Sequence, residues 1–71
     1  MARIHIATAS SDKLLKSNVW TGPLDADGKP ILTEARKAEL RLELTAYEVT
    51  HPGEQIAFYL EDETGGQTIS L

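Results

Sequence analysis

The sequence lacks several of the features by which function is usually recognised. It contains no cysteine, two histidines and only four residues of the tryptophan, tyrosine and phenylalanine types. The absence of cysteine excludes disulfide bridges and thiolate zinc sites. No apolar run approaches the ~20 residues of a membrane-spanning helix. The apolar segment around His5 is shorter than the ~7 to 15 residues of a secretory signal. We therefore expect a cytoplasmic protein without membrane association.

Basic residues are absent from the second part of the chain. Residues 1–41 contain all seven lysines and arginines together with five acidic residues, whereas residues 42–71 contain six acidic residues and no basic one. One interpretation is a solvated surface that keeps the protein soluble. The other is an acidic surface directed at a basic partner, for example one that imitates the charge of nucleic acid. The sequence leaves both open.

The length of the chain limits its stability. Seventy-one residues predict one small domain over residues 1–71, which buries only about 60% of the surface that its unfolded form exposes. Small domains without disulfides often gain stability by self-association. We therefore expect a homodimer.

Short strands are predicted on both sides of a central helix. Alternating apolar residues between turn-forming residues define four strands, at 3–9, 17–21, 56–61 and 67–71. A turn or cap is expected at residues 10–12, and a single helical turn at residues 13–16. The pattern predicts an α+β fold of order β-β-α-β-β.

The central helix carries the strongest local signal. Residues 34–44 consist only of alanine, glutamate, leucine, lysine and arginine, which are the best helix formers. Thr33 is a suitable N-cap, and Pro52 and Gly53 provide a stop. We predict a helix over about residues 33–48, packed on a small antiparallel sheet. A strand beginning near residue 40 remains an alternative, because residues 45–50 include β-branched side chains.

The predicted helix has two apolar stripes. The expected core face contains six residues: Ile31, Ala35, Ala38, Leu42, Ala46 and Val49. Leu40, Leu44 and Tyr47 form a second stripe on nearly the opposite side. Either the amino-terminal segment folds over this second stripe, or part of the stripe is strand, or the stripe forms a dimer or partner interface.

One segment resembles a metal-binding loop in spacing. Aligned on Gly28, an EF-hand pattern places Asp25, Asp27 and Glu34 at ligand positions. Pro23 occupies the first ligand position, however, and has no side-chain oxygen. We therefore predict a tight turn at residues 25–28 and no metal site.

No catalytic constellation or cofactor motif is evident. His5 lies on the polar side of its predicted strand, where an exposed ring is expected. His51 is expected to end the helix, where an imidazole suits the negative end of the helix dipole. We predict no catalytic, cofactor-binding or metal residues.

Together these features predict a small acidic interaction protein that is not an enzyme. It would regulate or inhibit a larger protein by covering a functional surface, as small phage and mobile-element inhibitors do. Leu40, Leu44 and Tyr47 would be its apolar anchors. Glu61, Asp62 and Glu63 would be its electrostatic anchors. The alternative is a nucleic-acid-binding module that uses the basic N-terminal half, although a sequence pI near 4.9 disfavours it.

Overall fold

The computed structural model describes residues 1–9 and 13–71 of the chain. The turn or cap expected at residues 10–12 lies outside the described residues. Five elements follow one another in the described part: β1 (Ala2–Thr8), β2 (Leu14–Gly22), α1 (Glu34–Thr50), β3 (Ile56–Asp62) and β4 (Gly65–Ile69). This order confirms the α+β fold and the β-β-α-β-β arrangement that the sequence predicts.

The four strands form one antiparallel sheet in the order β2-β1-β3-β4. Ile4 pairs with Leu60, and Ile6 pairs with Phe58. Because side chains of directly paired residues point to the same side of a sheet, these four apolar side chains share one face. All four are buried, and helix α1 packs against this face.

Strand β2 is longer than its prediction. Residues 14–16 pair with β1 through Ile6 and Ala7, so the helical turn expected at 13–16 was wrong. The neighbouring strand supplies hydrogen bonds that override the local helix preference of these residues. The pairing is irregular opposite His5, where Asn18 adopts a φ of +54°. This irregularity forms a bulge over β1.

Helix α1 has the predicted start and a slightly later end. The Thr33 hydroxyl accepts a hydrogen bond of 3.1 Å from the Arg36 amide, as expected of an N-cap. The helix continues to Thr50, two residues beyond its predicted end. The hydroxyls of Thr45 and Thr50 donate to carbonyl groups one turn earlier, which satisfies these side chains within the helix. His51 is the C-cap.

Candidate functional site

Helix α1 packs on the sheet with the face opposite to the predicted one. Leu40 is fully buried, and Leu44 and Tyr47 are partly buried against the same core. These three residues were expected to anchor a partner. They instead contact the chain's own core, and the complete burial of Leu40 removes it as a surface anchor. Within α1 this face has three large apolar side chains, whereas the predicted core face has only two, Leu42 and Val49, together with three alanines. Burial free energy increases with the apolar area removed from water.

The face that was expected to enter the core is exposed. Ile31 is 57% exposed, Leu42 is 72% exposed and Val49 is 74% exposed. Three small residues between them on the helix surface, Ala35, Ala38 and Ala46, are exposed as well. We call these six residues the outer stripe. Three of the five large hydrophobic side chains that are exposed in the described part of the chain belong to it. Leu42 and Val49 lie on α1 itself, whereas Ile31 precedes the first helical residue, Glu34.

An open groove of about 520 Å³ runs along one side of the outer stripe, between α1 and β2. Its lining residues are Lys16, Asn18, Val19, Arg36, Glu39, Leu42 and Glu43.

Two polar contacts connect α1 to β2 at this groove. The Lys16 ammonium group donates to the Glu43 carboxylate, and this hydrogen bond raises the pKa of Lys16. The Arg36 guanidinium donates to the Val19 carbonyl at 2.9 Å. Both contacts fix the orientation of the helix, and therefore the direction in which the outer stripe faces.

Comparison with known proteins gives no match. No family model, curated protein or solved structure matches the chain. In the described residues, no helix combines the length and apolar character needed to cross a bilayer. A functional proposal therefore depends on the surfaces of the chain itself.

The expected acidic anchors are each engaged within the chain. Asp62 accepts hydrogen bonds from the Thr64 amide at 2.8 Å and from the Thr64 hydroxyl at 2.7 Å. These bonds lower the pKa of the Asp62 carboxyl group. Glu63 lies 2.5 Å from the amino group of Met1, and a hydrogen bond from that group lowers the pKa of Glu63. The two carboxylates thus stabilise the β3–β4 turn and the first strand.

Glu61 belongs to a separate polar cluster on the sheet face away from the helix. Its Oε1 atom lies 2.9 Å from the Arg3 guanidinium and 3.2 Å from His5 Nε2. The His5 ring is only 5% exposed, so the expectation of an exposed ring was wrong. The Tyr59 ring stacks beside it at a centroid distance of 6.4 Å.

Both nitrogens of His5 have structural partners. The Asn18 amide donates to Nδ1 at 2.9 Å, so Nδ1 is the unprotonated nitrogen and Nε2 donates to Glu61. The β2 bulge closes over the ring and explains its burial. Strand alternation alone gives no sign of this arrangement, although Ser17 and Asn18 are residues that favour irregular backbone.

The segment that resembled a calcium loop is a tight turn. Asp25 Oδ1 accepts hydrogen bonds of 2.9 Å from the amides of Asp27 and Lys29, and Gly28 has a φ of +77°. The Asp25 carboxylate thus stabilises the turn itself. Among residues 1–9 and 13–71, no group of three or more histidine or acidic side chains is placed to hold a metal.

Most of the basic side chains are engaged in ion pairs within the part of the chain that the structure describes. Four of the seven basic side chains, those of Arg3, Lys16, Arg36 and Lys37, make ion pairs within the chain. Trp20 is partly buried against the core, which limits its use as a stacking platform for bases. This geometry does not favour the nucleic-acid-binding alternative.

Proposed function

We propose that this chain is a small, non-enzymatic interaction protein that binds a larger protein through the outer stripe of α1. The observation that carries the proposal is the exposure of Leu42 and Val49 on a helix whose other face already packs on the sheet. An amphipathic helix normally has one apolar stripe. A second, exposed stripe is typical of a helix that docks into an apolar groove of a partner.

Binding would regulate or inhibit that partner by covering the surface on which the helix docks. The net charge of −4 favours a partner with a basic surface, because complementary charge accelerates encounter. Imitation of nucleic-acid charge by Glu61, Asp62 and Glu63 is less well supported, since each of the three has a partner within the chain. We place this activity in the cytoplasm.

Two exposed leucines provide a matched test. Leu42 lies on the outer stripe and is 72% exposed, whereas Leu14 lies on β2 and is 48% exposed. Tagged wild-type chain, Leu42→Lys and Leu14→Lys would each be used to capture partners from the producing cells, followed by titration with the purified partner.

We expect the wild type and Leu14→Lys to retain the same partner and Leu42→Lys to bind it at least tenfold more weakly. Equal binding by all three proteins would contradict the proposal. Circular dichroism of each variant would confirm that its fold is retained.

A further inference from the structure

We propose that a second copy of this chain covers the outer stripe, with the two α1 helices packed antiparallel about a two-fold axis at Leu42. This inference concerns the same surface as the proposed function, so the second copy and the larger partner would compete for the outer stripe. The two remain separable, since self-association can be measured without any other partner.

The spacing of the outer stripe is self-complementary. Leu42 is the central residue of α1, eight positions from Glu34 and eight from Thr50. The other helical members of the stripe lie four and seven positions away on either side: Ala35, Ala38, Ala46 and Val49.

A two-fold interface requires that if residue i contacts residue j of the other copy, then j contacts i. An antiparallel pair centred on Leu42 meets this condition along its full length. Ala35 would face Val49, Ala38 would face Ala46, and Leu42 would face its own equivalent. Every contact in the centre of the interface is then apolar on both sides.

The small residues also suit a close approach of the two helices. Interaxial distances of about 8 to 10 Å depend on the size of the contacting side chains, and Ala38 and Ala46 add little bulk. The residues that border the stripe most closely are Glu39 and Thr45, each about 60° from its centre at 100° per residue. They would lie over Ala46 and Ala38 of the other copy. Glu39 of each copy would also lie near Glu43 of the other, and both carboxylates are paired within their own chain, Glu39 with Arg36 and Glu43 with Lys16.

A parallel pair is less favourable. It would place Glu34 of one copy near Glu39 of the other. In a parallel pair of helices, residues five positions apart on opposite edges of the contact stripe lie next to each other. A parallel pair would also align the two helix dipoles in the same direction. The antiparallel arrangement places the two helix dipoles in opposite directions.

The available area predicts a weak dimer. The molecule measures 35 × 27 × 17 Å, and α1 is about 25 Å long at 1.5 Å per residue. A helix face about 10 Å wide over that length is smaller than the ~800 Å² per partner of a standard stable interface. We therefore expect a dissociation constant in the micromolar range or weaker, with dimers favoured as concentration rises.

Mass measurement over a wide concentration range tests the interface. Sedimentation equilibrium of the wild type should shift from the 7.8 kDa monomer towards twice that mass as concentration rises to about millimolar. Leu14→Lys should behave in the same way. Leu42→Lys should remain monomeric throughout, because its charges would meet at the two-fold axis.

Cysteine cross-linking tests the geometry, and the chain has no natural cysteine to interfere. Leu42→Cys should form a disulfide-linked dimer on mild oxidation. Ala35→Cys alone should cross-link poorly, whereas a mixture of Ala35→Cys and Val49→Cys should give the mixed dimer. Efficient self-linking of Ala35→Cys would instead indicate parallel helices and would overturn the arrangement.

The outcomes separate this inference from the proposed function. A wild-type chain that stays monomeric at millimolar concentration, or a dimer that persists in Leu42→Lys, overturns the inference. If the monomeric chain still binds a larger protein through Leu42, the proposed function stands without the dimer. If the dimer forms as described but no larger protein depends on Leu42, the proposed function fails and the inference stands.

Discussion

Two leucines on the same helix should differ sharply in their contribution to stability. Leu40 is fully buried between α1 and the sheet, whereas Leu42, two residues later, is 72% exposed. Leu→Ala at a buried site costs about 2 to 5 kcal/mol, because apolar contacts are lost and a cavity remains. At an exposed site such a change usually stays within about 0.5 kcal/mol, and the higher helix propensity of alanine compensates in part.

These magnitudes are large relative to the stability of so small a chain. At about 0.05 to 0.15 kcal/mol per residue, 71 residues correspond to a free energy of unfolding of roughly 4 to 10 kcal/mol. Leu40→Ala should therefore remove about a fifth of it or more, whereas Leu42→Ala should leave it nearly unchanged. Urea unfolding followed by circular dichroism gives both values.

The measurement has to be made at concentrations where the chain is monomeric. A dimer would add concentration-dependent stability to the wild type that Leu42→Ala lacks. If, in dilute solution, Leu42→Ala costs as much as Leu40→Ala, the assignment of the two helix faces is wrong, and the proposals built on the outer stripe fail with it.

Three further predictions concern the polar contacts. His5→Leu should cost about 1 to 3 kcal/mol in urea unfolding, because it leaves the Asn18 amide without its partner and removes one of the two partners of Glu61, which retains Arg3; unchanged stability would show that these bonds contribute nothing. Asn18→Gly should be tolerated, whereas Asn18→Val should cost about 1 to 2 kcal/mol, because glycine and asparagine tolerate a φ of +54° and a β-branched side chain is strained there; equal effects of the two changes would argue against the bulge. The hydrogen bonds from Thr64 lower the pKa of Asp62, so the stabilisation is complete above the ordinary pKa and is lost as the pH falls through the folded-state pKa. Asp62→Asn should therefore flatten the stability curve between about pH 2 and 5, and an unaltered curve would show that this carboxylate has no part in acid unfolding.

The order of the elements could be predicted from the sequence because it depends on local signals. Alternation around Ile4 and Ile6 and the Thr33 cap each act over a few residues, and each matches the structure. The last strand spans Gly65–Ile69, which is two residues earlier than the predicted 67–71. Residues 14–16 were mispredicted because their conformation depends on pairing with β1. That pairing brings together residues distant along the chain, which local patterns do not report.

The burial of His5 could not be predicted for a related reason. Alternation correctly places His5 on the sheet face opposite to Ile4 and Ile6. Its burial depends on the bulge at Asn18 and on Glu61, a residue 56 positions away in the sequence. Predicting it would require the register of two strand pairs, which the sequence does not specify.

The helix face was mispredicted because positions were counted without regard to size. Six apolar positions favoured one side of α1 and three favoured the other, but half of the six are alanines. Burial free energy increases with the apolar area removed from water, so Leu40, Leu44 and Tyr47 prevail over a stripe with small side chains. Within Glu34–Thr50 the packed face has three large apolar side chains, whereas the outer stripe has only Leu42 and Val49. A count restricted to large residues of the helix itself would have predicted the correct face.

The same difference in size bears on the role of the outer stripe. Alanines contribute little to packing on the chain's own sheet, yet Ala38 and Ala46 allow another helix to approach closely around Leu42. The residues that are least useful for the internal core are therefore well suited to a contact between helices. The exposed stripe is best explained as a surface for association. Two substitutions separate its role from that of the core. Leu40→Ala should lower the free energy of unfolding without changing the partner surface, whereas Leu42→Lys should abolish association in a chain that remains folded.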